Sequence, residues 1–404
     1  MKILIMSQWF DPEPTFKGLF FAEELVKQGH EVEVITGFPN YPGGQIYDGY
    51  KIKPYQRDVI NDVVIHRVPL YPSHDGSSIK RALNYISFAI SSLIFGLFFV
   101  KKMDVIYSYH PPLTTALSST LVSLFRRIPL VVDVQDLWPD TLAATGMLQN
   151  KKILGLIAKV CNFVYRRAAK VVVLSPGFKS KLADRGVSED KLEVIYNWCD
   201  ETALKDGVES KVSLPDNGNF NLVFAGNLGH AQGLLSIVKA AKILQEKKIK
   251  VNIVFLGDGI AKKHAMKITE EFNLDNTFFI PRVPINQVGS ILVKADALLV
   301  HLTSNELFAI TIPSRTQAYL AIGKPIIMAV EGDASNLIKS ANAGLCCSPD
   351  KPSCLADVVI ELLSLSSIER EMLGNNASNF YQDNLSLKVG VKNFMRVFNE
   401  IRNK

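Results

Sequence analysis

Cysteine is scarce. Cys161, Cys199, Cys346, Cys347 and Cys354 are the only ones in 404 residues, an odd number without metal-ligand spacing. That excludes a disulfide framework and a zinc site and predicts reduced thiols in the cytoplasm. Charge of one sign is also lacking: 45 Lys and Arg against 39 Asp and Glu leave a net +6, too little for a dedicated nucleic-acid binder, so no nucleic-acid partner is expected. No Asp-x-Asp triplet occurs, and the chemistry is expected to need neither metal nor cofactor. The glycines never fall as G-x-G-x-x-G, which excludes the dinucleotide fingerprint. The apolar run after Lys2, Ile-Leu-Ile-Met, is too short for a secretion signal and reads as a first buried strand.

What is present is a globular composition, 48% apolar and 21% charged, in a chain long enough for two domains. Short β-rich runs alternate with longer helical patterns, the mark of parallel sheets with crossover helices. In the first half the runs are Lys2–Ser7, Glu31–Thr36, Val63–Val68, Asp104–Ser108, Leu130–Val134, Lys170–Leu174 and Leu192–Ile195. The second half restarts with Asn221–Ala225, Val251–Leu256, Thr277–Ile280, Ala297–His301, Pro325–Ala329 and Gly344–Cys346. The fold class is therefore α/β, with two Rossmann-like doubly wound domains facing across a cleft. The expected divisions are a first domain over 1–200, a polar linker over 201–218, a second domain over 219–380, and a final helix over 381–404 packing back toward the first domain. Loops at the carboxyl ends of the strands would line the site.

One stretch resists a soluble reading. Ala82–Val100 has no charge in 19 residues and is bracketed by Lys80-Arg81 and Lys101-Lys102. That length just reaches a membrane span, but Asn84, Ser87, Ser91, Ser92 and Gly96 interrupt it, and both flanks are positive. A buried or membrane-dipping helix is the expectation. Further doublets at Arg126-Arg127, Lys151-Lys152 and Arg166-Arg167 read either as solvated helix ends or as a surface that leans on anionic lipid.

Three loops in the second half draw attention. Gly226-Asn227-Leu228-Gly229 through Gln232-Gly233 follows one strand, and Gly257-Asp258-Gly259 follows the next. Small residues there let backbone N–H groups approach a phosphate, although a tight turn needs glycine with or without a ligand. In the third, Pro313-Ser314-Arg315-Thr316-Gln317 opens a helix, with Thr311 or Ile312 as N-cap and Pro313 in the first turn. Arg315 there opposes the helix dipole unless both address one anion, such as a nucleotide diphosphate. In the first half, Asp133, Asp136 and Asp140 with Trp138 end a strand, and His110 ends another. Three carboxylates are costly in a core, so this loop is expected to face the site.

These residues together resemble glycosyltransferase family 4, which has the GT-B fold, along the whole chain. The match lies in Lys2–Ser7 with the Pro12–Pro14 loop, Val134-Gln135-Asp136, Tyr196-Asn197-Trp198, the two glycine loops, and Ile312–Arg315 through Lys324-Pro325. Within the family the chain is similar to a bacterial subgroup that builds O-antigen and capsule and includes an N-acetyl-L-fucosamine transferase. The resemblance implies retaining transfer from a UDP-sugar to an undecaprenyl-diphosphate-linked sugar, by an enzyme peripheral on the inner face of the cell membrane. It implies a nucleotide-sugar set of Gly226, Asn227, Gly229, Gln232, Gly257, Asp258, Gly259, Arg282, Val283, Pro313, Ser314, Arg315, Thr316 and Gln317. Asp136, with His110 and Asp140, would act on the acceptor.

The departures are specific. Asn227 and Gln232 stand where many members carry Arg and Lys, Ile310 and Ala318 where they carry two glutamates, and Gln135-Asp136 where they carry His-Asp. Arg315 and Gln317 are the expected substitutes. Rival expectations are a non-hydrolysing UDP-N-acetylglucosamine 2-epimerase of the same fold and a catalytically silent, membrane-attached assembly subunit.

Overall fold

The apolar runs form strands covered on both faces. Ile3, Leu4, Ile5 and Met6 are fully buried, as are Val131, Val132 and Val134, so neither run alternates. A computed structural model describes residues 1–73, 78–144, 146–205 and 207–402. They divide into two units: Met1–Tyr196 with the segment from Gly390 onward, and Asn197–Val389.

In chain order the first unit holds β1 (Lys2–Met6), α1 (Leu19–Lys27), β2 (Glu31–Gly37), β3 (Gln56–Ile60), β4 (Val63–Val68) and α2 (Ser78–Phe98). It continues through β5 (Val105–His110), α3 (Leu113–Arg126), β6 (Leu130–Val134), α4 (Asp140–Ala144) and α5 (Lys151–Arg167). β7 (Lys170–Val173), α6 (Pro176–Asp184) and β8 (Leu192–Val194) complete its sheet, whose order is β3-β4-β2-β1-β5-β6-β7-β8. Every neighbouring pair is parallel except β3 with β4. β3 escapes the sequence reading because Gln56-Arg57-Asp58 is polar, as suits an edge. Its signal was the turn: Asn61 and Asp62 both have positive φ, the conformation of a two-residue hairpin.

The second unit begins with α7 (Glu201–Lys205), inside the stretch expected to be linker. β9 (Phe220–Asn227), α8 (Leu234–Glu246), β10 (Val251–Asp258), α9 (Lys262–Glu271), β11 (Thr277–Ile280) and α10 (Ile285–Leu292) follow. Then come β12 (Ala297–His301), α11 (Glu306–Ala309), α12 (Ser314–Ile322), β13 (Ile326–Ala329) and α13 (Asp333–Ala341). β14 (Gly344–Cys346), α14 (Pro352–Ser364) and α15 (Ser367–Asn384) close it around a parallel sheet ordered β11-β10-β9-β12-β13-β14. Ser366 and Glu369 start α15 with a capping box.

The last helix, α16 (Leu387–Arg402), joins the first unit from Gly390 on. That is later than the boundary at 381 expected from sequence, because Tyr381 is still buried in α15. Phe394 packs on Phe21 and Tyr107 at 5.2 and 5.4 Å between ring centres, and Glu400 pairs with Lys170 at 3.0 Å.

Helix α2 turns Asn84 and Ser92 inward. Asn84, Phe88, Ser92 and Gly96, four apart, are buried, and the Ser92 hydroxyl meets that of Ser118 on α3 at 3.1 Å. Ile79, Leu83, Ile86, Ile90, Ile94 and Phe98 form the opposite stripe, each 47–75% exposed. The Arg126 guanidinium donates to the carbonyls of Gly96, Val100 and Lys101, satisfying groups the end of the helix leaves open. At Gly96 an added Cβ would lie 2.8 Å from a Val122 methyl, so glycine sets how closely α2 meets α3. Gly96→Leu should lower stability by about 1–3 kcal/mol through overpacking. An unchanged thermal midpoint would contradict that contact.

Candidate functional site

In the second unit the site forms where β9, β10 and β12 end. Gly257 and Gly226 lie side by side, and a Cβ on Gly257 would fall 2.0 Å from the Gly226 carbonyl oxygen. A Cβ on Gly259 would meet the Leu228 carbonyl at 2.5 Å. These glycines are therefore required by backbone packing whether or not a ligand is present. Asp258 is spent locally, its carboxylate accepting from the Gly259 N–H at 2.8 Å. Gln232 folds back to accept from the Gly229 N–H at 3.0 Å, while Gly226 and Asn227 are exposed.

Arg315 points into this loop. Its guanidinium lies 4.2 Å from the centre of the Phe224 ring, and a Cβ on Gly226 would be 3.5 Å from Nη2. Burial lowers its pKa. No carboxylate pairs with it among the described residues, and its Nη1 is enclosed without a hydrogen-bond partner. Tyr319, one turn further along α12, receives the Ala225 N–H at 2.7 Å and so fixes the helix against the end of β9.

Other expected residues sit differently. Pro313 is itself the N-cap of α12, so the cap falls later than the expected Thr311 or Ile312 and Pro313 precedes the first turn, because Ser314 is the first residue with helical geometry. Thr316 and Gln317 are buried. With its amide nitrogen turned toward them, Gln317 donates to the carbonyls of Ser314 and Pro313 at 2.9 and 3.0 Å, so it braces the helix start and does not replace a lost glutamate. Arg282 is exposed and Val283 buried beyond edge strand β11, which β10 separates from β9. His301 went unnoticed in the sequence. It ends β12 with its Nδ1 2.9 Å from the Gln232 carbonyl oxygen and its ring filling the space beside Gly233. Its signal was a histidine closing a buried strand.

In the first unit the ends of β1, β2, β5 and β6 bring together Trp9, Tyr41, Tyr109 and Asp136. The Asp136 carboxylate is partly exposed and makes no hydrogen bond or ion pair with a described residue; desolvation raises its pKa. Its neighbour Gln135 donates to Asp133 at 2.5 Å, and Asp133 also receives the Tyr107 hydroxyl at 2.6 Å and faces Lys17 at 3.7 Å. Asp133 and Lys17 are fully buried, so Asp133 anchors the loop from below. Two expectations are corrected. His110 is wholly enclosed, with Trp138 and Tyr165 rings 6.0 and 6.4 Å away, and burial lowers its pKa to about 4, so it is a neutral core residue. Asp140 is tied to Arg185, which also binds the Trp138 carbonyl, so it holds the loop together.

Two family models match in tandem: a glycosyl transferase 4-like domain over residues 21–198 and glycosyl transferases group 1 over residues 207–380. The chain is a GT-B glycosyltransferase. It is 28% identical over 347 residues to WcaI of Escherichia coli K12, a glycosyl transferase assigned by name to colanic acid biosynthesis, spanning 82% of this chain and 84% of that one. To WbjE of Pseudomonas aeruginosa, also named a glycosyltransferase, it is 26% identical over 69% and 72% of the two chains. Among solved structures, Anabaena HepE in complex with UDP superposes with a TM-score of 0.71 at 13% identity, covering 99% and 100%. Sucrose-phosphate synthase of Thermosynechococcus elongatus gives 0.68 at 13%, covering 99% and 98%. These share the fold.

The glycosyltransferase carries one further buried carboxyl beside Trp9 and Tyr41. Glu13 accepts from the backbone N–H groups of Asn40 and Tyr41, both at 2.7 Å, and of Phe10 at 3.2 Å. Burial nonetheless pushes its pKa from 4.5 up to about 7. A folded-state value above the unfolded one gives stability that is complete below about pH 4.5 and is lost as pH rises through 7. Glu13→Gln should remove that part of the pH dependence. Identical slopes of unfolding free energy against pH in the two proteins would refute the assignment.

Proposed function

We propose that the transferase moves a sugar, with retention at its anomeric carbon, from a UDP-sugar to a sugar carried on a lipid diphosphate. The observation that carries this is Arg315, a partly buried guanidinium with no carboxylate partner among the described residues, aimed at a glycine loop from the first turn of a helix. A buried cation is costly to leave unpaired, and a diphosphate would supply the missing charge. HepE, which shares the fold, has been crystallised with UDP and with UDP-glucose, which supports UDP as the carrier. WcaI's assignment to colanic acid biosynthesis supports polysaccharide assembly as the setting. Within this reading the acceptor is undecaprenyl-diphosphate-linked, the sugar moved is N-acetyl-L-fucosamine by the subgroup resemblance, and the product serves O-antigen or capsule.

In the transfer step the bond from the anomeric carbon to the diphosphate breaks, and the acceptor oxygen bonds on the same face. The acceptor proton passes to a departing diphosphate oxygen. Catalysis then rests on holding the leaving group, the work of Arg315, the Gly226–Gly229 backbone and the start of α12, and on orienting the acceptor hydroxyl, the work of Asp136. Arg315→Ala should weaken UDP binding by about 1.5–3 kcal/mol. Asp136→Asn should leave UDP binding intact and cut kcat roughly 10²-fold, the cost of a misplaced acceptor hydroxyl. Calorimetry giving equal UDP affinity for Arg315→Ala would remove the donor assignment, and an unaltered transfer rate in Asp136→Asn the acceptor one.

The apolar stripe of α2 supports a lipid-borne acceptor. Phe99 and, on α3, Leu124 and Phe125 are exposed too, and Lys101, Lys102 and Arg127 border them. Such a face lies in the membrane surface with its cations toward anionic headgroups. Replacing Ile86, Ile90 and Ile94 with serine should move the protein from the membrane to the soluble fraction. Retention of the variant on vesicles containing anionic lipid would count against a lipid-facing α2.

A further inference from the structure

Three aromatic rings in the first unit are held by one buried device. Trp9 follows β1, Tyr41 follows β2, and Tyr85 stands on α2. The Trp9 and Tyr41 rings lie 4.6 Å apart, inclined by 31°, and Tyr85 meets Trp9 edge-on at 6.5 Å. Immediately before each ring in sequence comes a fully or nearly fully buried amide: Gln8, Asn40 and Asn84. These amides bond to one another. Gln8 donates to Asn84 at 2.5 Å, and Asn84 donates to Asn40 at 3.2 Å and to the Tyr71 carbonyl at 2.7 Å. Glu13 fixes the Asn40–Tyr41 backbone, and the Tyr47 hydroxyl donates to the Tyr41 carbonyl at 2.6 Å. A polar cluster that links three chain segments sets one register between them, and each segment delivers an aromatic ring.

The rings themselves are not buried. Trp9, Tyr41 and Tyr85 are all partly exposed, and the Asp136 carboxylate is close enough for its charge to act on Tyr41 and Tyr85. Burial, and then the nearby Asp136 charge, raises the phenol pKa of Tyr41; at Tyr85 the same charge contributes after burial and Tyr41. Partly exposed rings held in place beside a carboxylate that can accept hydrogen bonds suit a ligand with an apolar face and a rim of hydroxyls. A pyranose ring has both. A nucleotide phosphate would be repelled by Asp136, and a purely apolar ligand would leave that carboxylate desolvated and unpaired.

We propose that Trp9, Tyr41 and Tyr85, held by the Gln8–Asn40–Asn84 amides, form the subsite that stacks the acceptor pyranose and turns its hydroxyl toward Asp136. The inference rests on the reading that the first unit receives the acceptor. It also gives Asn84 and its neighbour a purpose: α2 presents Tyr85 to the sugar and, at Leu83 and Ile86, an apolar surface to lipid.

Saturation-transfer NMR on the full chain, with methyl pyranosides of glucose, galactose and N-acetylglucosamine as probes, tests the subsite. Transfer to the ring C–H protons is expected, and Trp9→Ala or Tyr85→Ala should weaken binding roughly tenfold, the effect of losing a stacked ring. Trp9→Phe, which keeps a ring, should retain most of it, and thermal melting identifies any variant that has not folded. UDP affinity by calorimetry should be the same in all of them. Undiminished transfer in the folded Trp9→Ala, Tyr85→Ala double variant would overturn the subsite. So would the absence of transfer from every pyranoside in wild type that binds UDP, an outcome that leaves the donor reading standing. Wild type that binds pyranosides but not UDP would support the subsite and sink the donor reading.

Discussion

In a parallel sheet every strand delivers its carboxyl end to the same edge, and the loops gathered there are not needed to close the core. Both units obey this constraint. In the second, β9, β10 and β12 end together, and Arg315, His301 and the Gly226–Gly229 loop share the space beyond them. In the first, β1, β2, β5 and β6 bring Trp9, Tyr41, Tyr109 and Asp136 from distant parts of the chain to one edge. The buried interior of each sheet supplies the stability that lets these loops keep uncompensated groups.

The charges of Arg315 and Asp136 are of opposite sign and differently treated. Arg315 is partly buried with its Nη1 enclosed, an aromatic face on one side and, among the described residues, no carboxylate to neutralise it. Asp136 is open to solvent in part and its carboxylate makes no hydrogen bond with a described residue, while its neighbours Asp133 and Asp140 are committed, one to Lys17, Tyr107 and Gln135, the other to Arg185. Withdrawing a charge from water without a partner works against folding, and on the function proposed above both groups gain their partners from substrate. His110 shows the contrast: although it ends a strand beside Asp136's loop, it is sealed into the core and uncharged.

Helix α2 reverses the usual arrangement of a soluble helix. Its small and polar residues pack inward because α3 lies close at Gly96 and because Asn84 belongs to the amide cluster, and the large aliphatic side chains are left on the outside. The polar interruptions that argue against a membrane span are thus the residues that seat the helix on its own domain. An outward stripe of isoleucines is an apolar patch of the kind that marks an interaction face.

Much of the architecture was legible in the order of the residues. All thirteen apolar runs form strands, since a strand buried on both faces must be continuously apolar, and the restart near Asn221 marks a second sheet. The polar edge strand β3 was not legible, since an edge needs no apolar run. The sequence also singled out Arg315, because a cation in a helix's first turn contradicts the dipole, and Asp136, because three carboxylates cannot all be buried. Which of those carboxylates stays uncommitted was decided only by tertiary structure, through Lys17 and Arg185, which no local pattern connects to them. The same holds for Gln317, turned back onto its own helix, and for the three rings joined by amides 32 and 44 residues apart in the chain (Gln8 to Asn40, Asn40 to Asn84). Periodicity records which face of an element is apolar, but hydrogen-bond partners are fixed by proximity in space, and that information is distributed over the whole chain.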